Sequence, residues 1–259
     1  MNVTITDQTV FLAFWLGFSR WVAVLIQLPI FDNVVIPNIV KVLASFLVSY
    51  AFFPYLKGTL VAEVNMVGVD NIWMLTMFHT CTGLIIGFLV KSIISLFIAT
   101  GSIVTQQIGF NSVSYFDPTQ GQQVGPFERL IEWTMLILIL TSGALVPMFK
   151  GVFQSFISVN FLNADKLLKS PEYFVLFFKS AFSASILLAG PLIFANLLMN
   201  LVMGIVARTV PQMNVLMVSF VVNIGLGLLL FLGIAEEFFT VSFDLYVEKL
   251  GEWYQFLSP

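Results

Sequence analysis

Residues 72–109 read IWMLTMFHTCTGLIIGFLVKSIISLFIATGSIVTQQIG, an apolar run interrupted by the charge of Lys91. As one helix rising 1.5 Å per residue it would extend about 57 Å, whereas a bilayer's hydrocarbon layer of about 30 Å takes about 20 residues. The run must therefore tilt strongly, break into a hairpin near Lys91, or leave the lipid. Upstream lie two shorter apolar segments, at about 10–31 with Arg20 inside it and about 34–55 with Lys41 near its start. Pro29, the pair Asp32-Asn33 and Pro37 interrupt helical continuity between them and predict a helical hairpin. A polar interval at 57–71 separates this hairpin from the long run.

Downstream, 110–125 is the least helical stretch, rich in Asn, Ser, Gln and Gly. Pro126 suits a first helical position, and Glu128 and Glu132 favour the positive end of a helix starting there. Apolar residues continue through Val146 to Pro147, and an amphipathic stretch reaches Leu168. Two further apolar runs, about 173–206 and 214–234, are joined by Arg208-Thr209-Val210-Pro211-Gln212. In the acidic tail, Glu237, Asp244, Glu248 and Glu252 share one helical face, which is either a solvated face or a docking strip for a basic partner.

Composition decides the solvent. Of the 259 residues 59% are hydrophobic and 10% charged, against about 45–50% and about 25% in soluble domains. That excess apolar surface calls for lipid, so the fold class is all-α: an integral membrane protein of helical spans. The net charge of −3 offers no basic field for a nucleic acid. The lone Cys81 in an apolar run reads as a small buried hydrophobe. There is no nucleophile elbow, phosphate loop or H-E-x-x-H pattern, and His79 stands alone, as a hydrogen-bonded structural residue. No catalytic site, cofactor or metal is expected. The segment Met1 to Asp7 lacks the basic start of a secretory signal, and the run after it reads as a retained first span.

Small residues recur at four-residue spacing: Gly83 and Gly87; Gly101, Thr105 and Gly109; Ala181, Ser185 and Ala189. In lipid such stripes let helix backbones approach closely, where hydrophobicity gives no drive to associate. The embedded cations are Arg20, Lys41, Lys91, Lys179 and Arg208. A charge at mid-bilayer costs about 2.5 kcal/mol or more, so each must snorkel, pair, or face protein or water. Lys41 and Arg208, near segment ends, are placed to snorkel; Arg20, Lys91 and Lys179 lie deep within apolar runs and call for protein partners. Lys57, Lys150, Lys166 and Lys169 are too few and scattered to orient the chain. The loop Gly109-Phe110-Asn111-Ser112-Val113-Ser114-Tyr115-Phe116-Asp117, followed by Pro118, is read from its residues as either a surface loop or a pore-lining constriction. Non-helical backbone at membrane depth has to be buried in protein or line a water-filled cavity.

These features together resemble the FliR family of type III export-gate proteins, called SctT in virulence secretion systems. Arg20, Pro29, Pro37 and Lys41 have the family's spacing, with lysine where arginine is common. Gly101-Ser102, Gln107-Ile108-Gly109-Phe110, Asp117-Pro118-Thr119 and Gly121-Gln122 resemble its central pattern. Arg208-Thr209-Val210-Pro211-Gln212-Met213-Asn214-Val215 is close to its R-x-x-P-Q-x-N-V and is the most specific match. Ser142-Gly143-Ala144 stands where Gly-Gly-His is frequent, and Val221-Val222-Asn223 where Pro-Leu-Lys is usual.

The resemblance implies one copy of this chain among FliP-like and FliQ-like subunits in a helical hetero-oligomeric gate, joined by an FlhB-like switch protein. It implies a FliP-like part at about 1–170 and a FliQ-like hairpin at 171–259. It places the protein in the bacterial inner membrane, in the flagellar basal body, with exported proteins as substrates, and sets the gate largely above the membrane plane. The segment 109–123 then corresponds to a plug, and Arg20, Lys41, Lys91, Lys179, Arg208, Pro211, Gln212 and Asn214 to assembly contacts. The competing reading is a secondary transporter with a midplane site, for which Lys91 and Pro191 are the pointers; it requires internal inverted symmetry, which the sequence does not show.

Overall fold

The computed structural model describes residues 5–28, 36–108, 115–117, 122–124, 126–161, 171–210, 212 and 214–257. Its helices are α1 (Ile5–Leu25), α2 (Asn38–Val67), α3 (Ile72–Ile108), α4 (Pro126–Thr141), α5 (Leu145–Ser158), α6 (Pro171–Thr209) and α7 (Val215–Leu257), with a 3-10 turn at Val69–Asn71. Two short strands, β1 (Tyr115–Asp117) and β2 (Gln122–Val124), complete the described elements. Within α1, α2, α6 and α7, and from the 3-10 turn through α3, lie stretches long and apolar enough to cross a bilayer: Gln8–Leu25, Asn38–Val67, Val69–Ile108, Glu172–Thr209 and Met217–Gln255. The chain is a multi-pass helical membrane protein.

Several boundaries differ from the sequence reading. The polar interval at 57–71 is mostly helix, because its apolar residues keep helical spacing and α2 buries Leu56, Leu60 and Val64 on one face. The helix stops only at Gly68, whose φ of +86° suits a residue without a Cβ. The long apolar run neither breaks nor kinks into a hairpin at Lys91: α3 is one helix of 37 residues. The helix after Pro126 ends at Thr141, earlier than Pro147, because Gly143 turns left-handed with φ +73°. Pro147 instead sits in the first turn of α5, where helix N–H groups have no intrahelical acceptor. The tail is no separate segment but the continuation of the 43-residue α7.

Residue contacts divide the chain into two compact units. The first comprises 1–93, 144–174 and 249–259. Its core is aromatic: Trp21 of α1, fully buried, has Phe52 of α2 and Phe149 and Phe156 of α5 around it. Phe14 and Phe18 meet Phe46, and Phe14 also meets Phe53, so α1 packs on α2 as a hairpin pair. Gly83 and Gly87 give the close approach expected of them. A Cβ on Gly83 would stand 2.6 Å from the Arg20 carbonyl oxygen, and one on Gly87 would be 2.7 Å from the Gln27 side chain. Gly151 likewise leaves room for the indole of Trp253, which a Cβ would overlap.

The second unit comprises 94–143 and 175–248. Here the other two stripes work. Gly101 accommodates Ile131 of α4, and Thr100 Oγ1 lies 2.8 Å from Ser185 Oγ with Ala181 and Ala189 buried on the same stripe of α6. Phe127 and Phe231 join α4 to α7 edge to face, and Gly227 of α7 makes way for Ile108 of α3.

Candidate functional site

Arg20 is bonded to protein through both terminal guanidinium nitrogens, with Nε buried and without a described partner. Completely buried, it donates from Nη1 to the Ser155 carbonyl (2.8 Å) and Oγ (3.3 Å), and from Nη2 to the Val159 carbonyl (3.0 Å). These acceptors lie in and just past the last turn of α5, where the helix dipole is negative; the Ser155 carbonyl also accepts the Val159 N–H. A cation there meets the requirement to pair with protein rather than to snorkel. Each such charged hydrogen bond contributes about 1.5–3 kcal/mol, which offsets a desolvation cost of several kcal/mol.

A second buried polar pair was not legible in the sequence. Glu63 Oε2 and His79 Nε2 are 2.8 Å apart, both almost fully buried, joining α2 to α3. His79 is thus the hydrogen-bonded structural residue expected, but its partner comes from an interval read as polar linker. Helical continuity through that interval was the signal: it puts Glu63 one turn from the buried Leu60 and beside Val64.

The remaining expected cations fare differently. Lys41 is buried near the start of α2 rather than snorkelling, on the helix face that also buries Ser45 and Ser49, while Ile39, Val40, Val42 and Leu43 around it are exposed. Lys91 is half-buried in α3 and interacts with its surroundings. Lys179 of α6 is exposed. Arg208, also exposed, occupies the last turn of α6, where a cation complements the helix dipole. Cys81 is exposed, not buried: α3 turns Thr82, Gly83 and Ile86 inward and leaves Cys81 on another face. Among the described residues no three His, Cys, Asp or Glu side chains converge to hold a metal ion.

In the R-x-x-P-Q-x-N-V stretch, Pro211 and Met213 lie outside the described residues, and Gln212 is exposed in a turn. Asn214 caps α7. Its Oδ1 accepts from the Met217 N–H at 3.3 Å, and its carbonyl from Met217 and Val218. The motif's local work is to end α6 and start α7.

Gly109, Phe110, Asn111, Ser112, Val113 and Ser114 of the expected plug lie outside the described residues. The remainder is more ordered than the irregular loop expected: β1 and β2 pair antiparallel, Tyr115 opposite Val124, Phe116 opposite Gln123 and Asp117 opposite Gln122. Aromatic and β-branched residues on a short connection favour such a ribbon. It lies between the end of α3 and the start of α4.

Near the end of α3, asparagines missed in the sequence form a chain of contacts. Asn196 donates to the Gln107 carbonyl, Asn200 to Asn196, and Asn223 to Asn200 at 3.5 Å. The i, i+4 spacing of Asn196 and Asn200 in an apolar run was the available sign. In lipid, side-chain amides of this kind join helices.

These features describe a polytopic helical protein whose described polar groups hold helices together. Residues 11–248 match the family described as Bacterial export proteins, family 1, and the chain belongs to that family. It is 26% identical to the flagellar biosynthetic protein FliR of Bacillus subtilis (strain 168) over 250 residues, 93% of either chain. FliR of Aquifex aeolicus (strain VF5) is 26% identical over 88% of this chain and 87% of its own. The surface presentation of antigens protein SpaR of Shigella flexneri is 24% identical over 80% of this chain and 78% of its own.

Proposed function

We propose that this chain is the FliR-type subunit of a type III protein export gate, serving flagellar biosynthesis in the bacterial inner membrane at the basal body. The observation that carries the reading is similarity to FliR proteins over nearly the whole chain, on a fold whose polar groups join helices. FliP-like, FliQ-like and FlhB-like chains are its partners, exported proteins its substrates, and its role is non-enzymatic. Residues 1–170 act as a FliP-like part and 171–259 as a FliQ-like hairpin.

Within this gate, 109–123 obstructs the channel. Support comes from its position: it connects two apolar helices, its described residues pair as short strands, and non-helical backbone at membrane depth must be buried in protein or line water. Its aromatic residues Phe110, Tyr115 and Phe116 supply bulk. Deleting Asn111 to Phe116, in cells that carry the partner subunits, should leave assembly intact and make the membrane leaky to small solutes, read as dye entry or single-channel conductance. A deletion complex that assembles and stays as tight as the parent would remove the plug role and pass closure to partner residues. Native mass spectrometry of the parental complex tests the subunit reading separately.

A further inference from the structure

Between α6 and α7 in the second unit lies a groove of about 310 Å³, walled by Leu187 and Pro191 on one side and Ile234, Glu237, Phe238 and Val241 on the other. Its lining is apolar except for Glu237, which is exposed. Pro191 has no N–H, so the Leu187 carbonyl one turn earlier has no i+4 donor in α6. Glu237 contributes a carboxylate from within Met217–Gln255, a stretch apolar enough to cross the membrane. The unit's own described cations do not serve it. Arg129 pairs with Glu132 at 3.2 Å; Lys179 and Arg208 lie 12 and 17 residues from Pro191 along α6, about 18 and 26 Å at helical rise.

We infer that this groove receives a lysine or arginine side chain from a neighbouring membrane chain, its aliphatic stem on the apolar walls and its charged end shared by Glu237 and the Leu187 carbonyl. An ionised carboxylate among apolar side chains is costly unless a cation neutralises it. A second acceptor on the facing helix of the same groove favours a multi-donor cation over a lone proton. A long aliphatic side chain matches walls that are otherwise hydrocarbon. The inference rests on the reading that the chain works in a hetero-oligomer and is independent of the plug.

The test co-expresses the tagged chain with its co-encoded export-gate neighbours, measures its amount in membranes, and weighs the purified complex. Glu237→Gln and Pro191→Ala, the second restoring a donor to the Leu187 carbonyl, should each lower recovery of partner subunits several-fold with the chain's own membrane level unchanged. Glu237→Asp should retain most of it. Carbodiimide coupling of the parental complex should, for a lysine occupant, join Glu237 to a partner peptide; for an arginine, a partner Arg→Glu change should rescue Glu237→Lys. Parental recovery from both Glu237→Gln and Pro191→Ala overturns the groove while leaving the subunit reading standing, and so does coupling of Glu237 to an aminophospholipid. A parental chain that captures no partner overturns both.

Discussion

The Arg20 guanidinium lies 4.3 Å from the centroid of the Phe156 ring, and the His79 imidazole stacks on the same ring at 6.2 Å. One aromatic side chain of α5 thus touches both buried polar centres of the first unit: the cation held by α5 carbonyls and the histidine held by Glu63. Cation–π contact of this kind contributes about 2 kcal/mol when desolvated. Its place between two helix-joining contacts makes α5 the element against which α1 and α3 are set.

Arg20→Met should therefore lower the temperature at which the purified complex dissociates by more than Arg20→Lys. Methionine fills the space but leaves the Val159 carbonyl without this donor, at about 1–3 kcal/mol, and forfeits the contact with Phe156. Lysine keeps the charge but, as a point donor without a planar fork, does not bridge Ser155 and Val159 in the same way. Equal dissociation temperatures for the two variants would show that the forked geometry contributes nothing.

Removing one member of the Glu63–His79 pair should cost about 1–3 kcal/mol, because the other is left buried without its hydrogen-bond partner. Glu63→Leu and His79→Leu together should cost less than the sum of the singles. A double-mutant cycle read in thermal or denaturant unfolding of the complex measures the coupling; a coupling near zero would mean that these groups do not stabilise each other.

Glycines in the apolar helices separate into those that permit a contact and those that do not. Gly83→Ala pushes a methyl against the Arg20 backbone, an overpacking cost of about 1–3 kcal/mol. Gly190→Ala meets nothing within 4 Å and should be neutral or stabilise by up to about 1 kcal/mol through helix propensity. Chain recovery and melting of the two variants in detergent should differ in that order.

Lys91→Met and Lys179→Met should each reduce the yield of the hetero-oligomer, Lys179→Met without destabilising the isolated chain, since that side chain is exposed on it. Co-purified partner subunits, normalised to the amount of this chain, give the measure. Undiminished yield for both variants would assign these lysines to the membrane interface.

Composition and the 72–109 run were enough to establish helices in a membrane, because apolar length and the cost of unsatisfied backbone in lipid leave few alternatives. Local chemistry was legible too. Pro126 begins α4, and the small-residue stripes at Gly83 and Ser185 lie where helices touch. Which groups meet across the fold was not legible. Arg20 and Val159 are 139 residues apart, Gly151 receives an indole from the far end of the chain, and nothing local marks Glu63 as the partner of His79. Nor could periodicity alone show that α3 passes Lys91 unbroken. Local sequence sets propensity and the preferred solvent, whereas a buried charge is tolerated only where another helix supplies its partner, and that pairing exists only once the chain has folded.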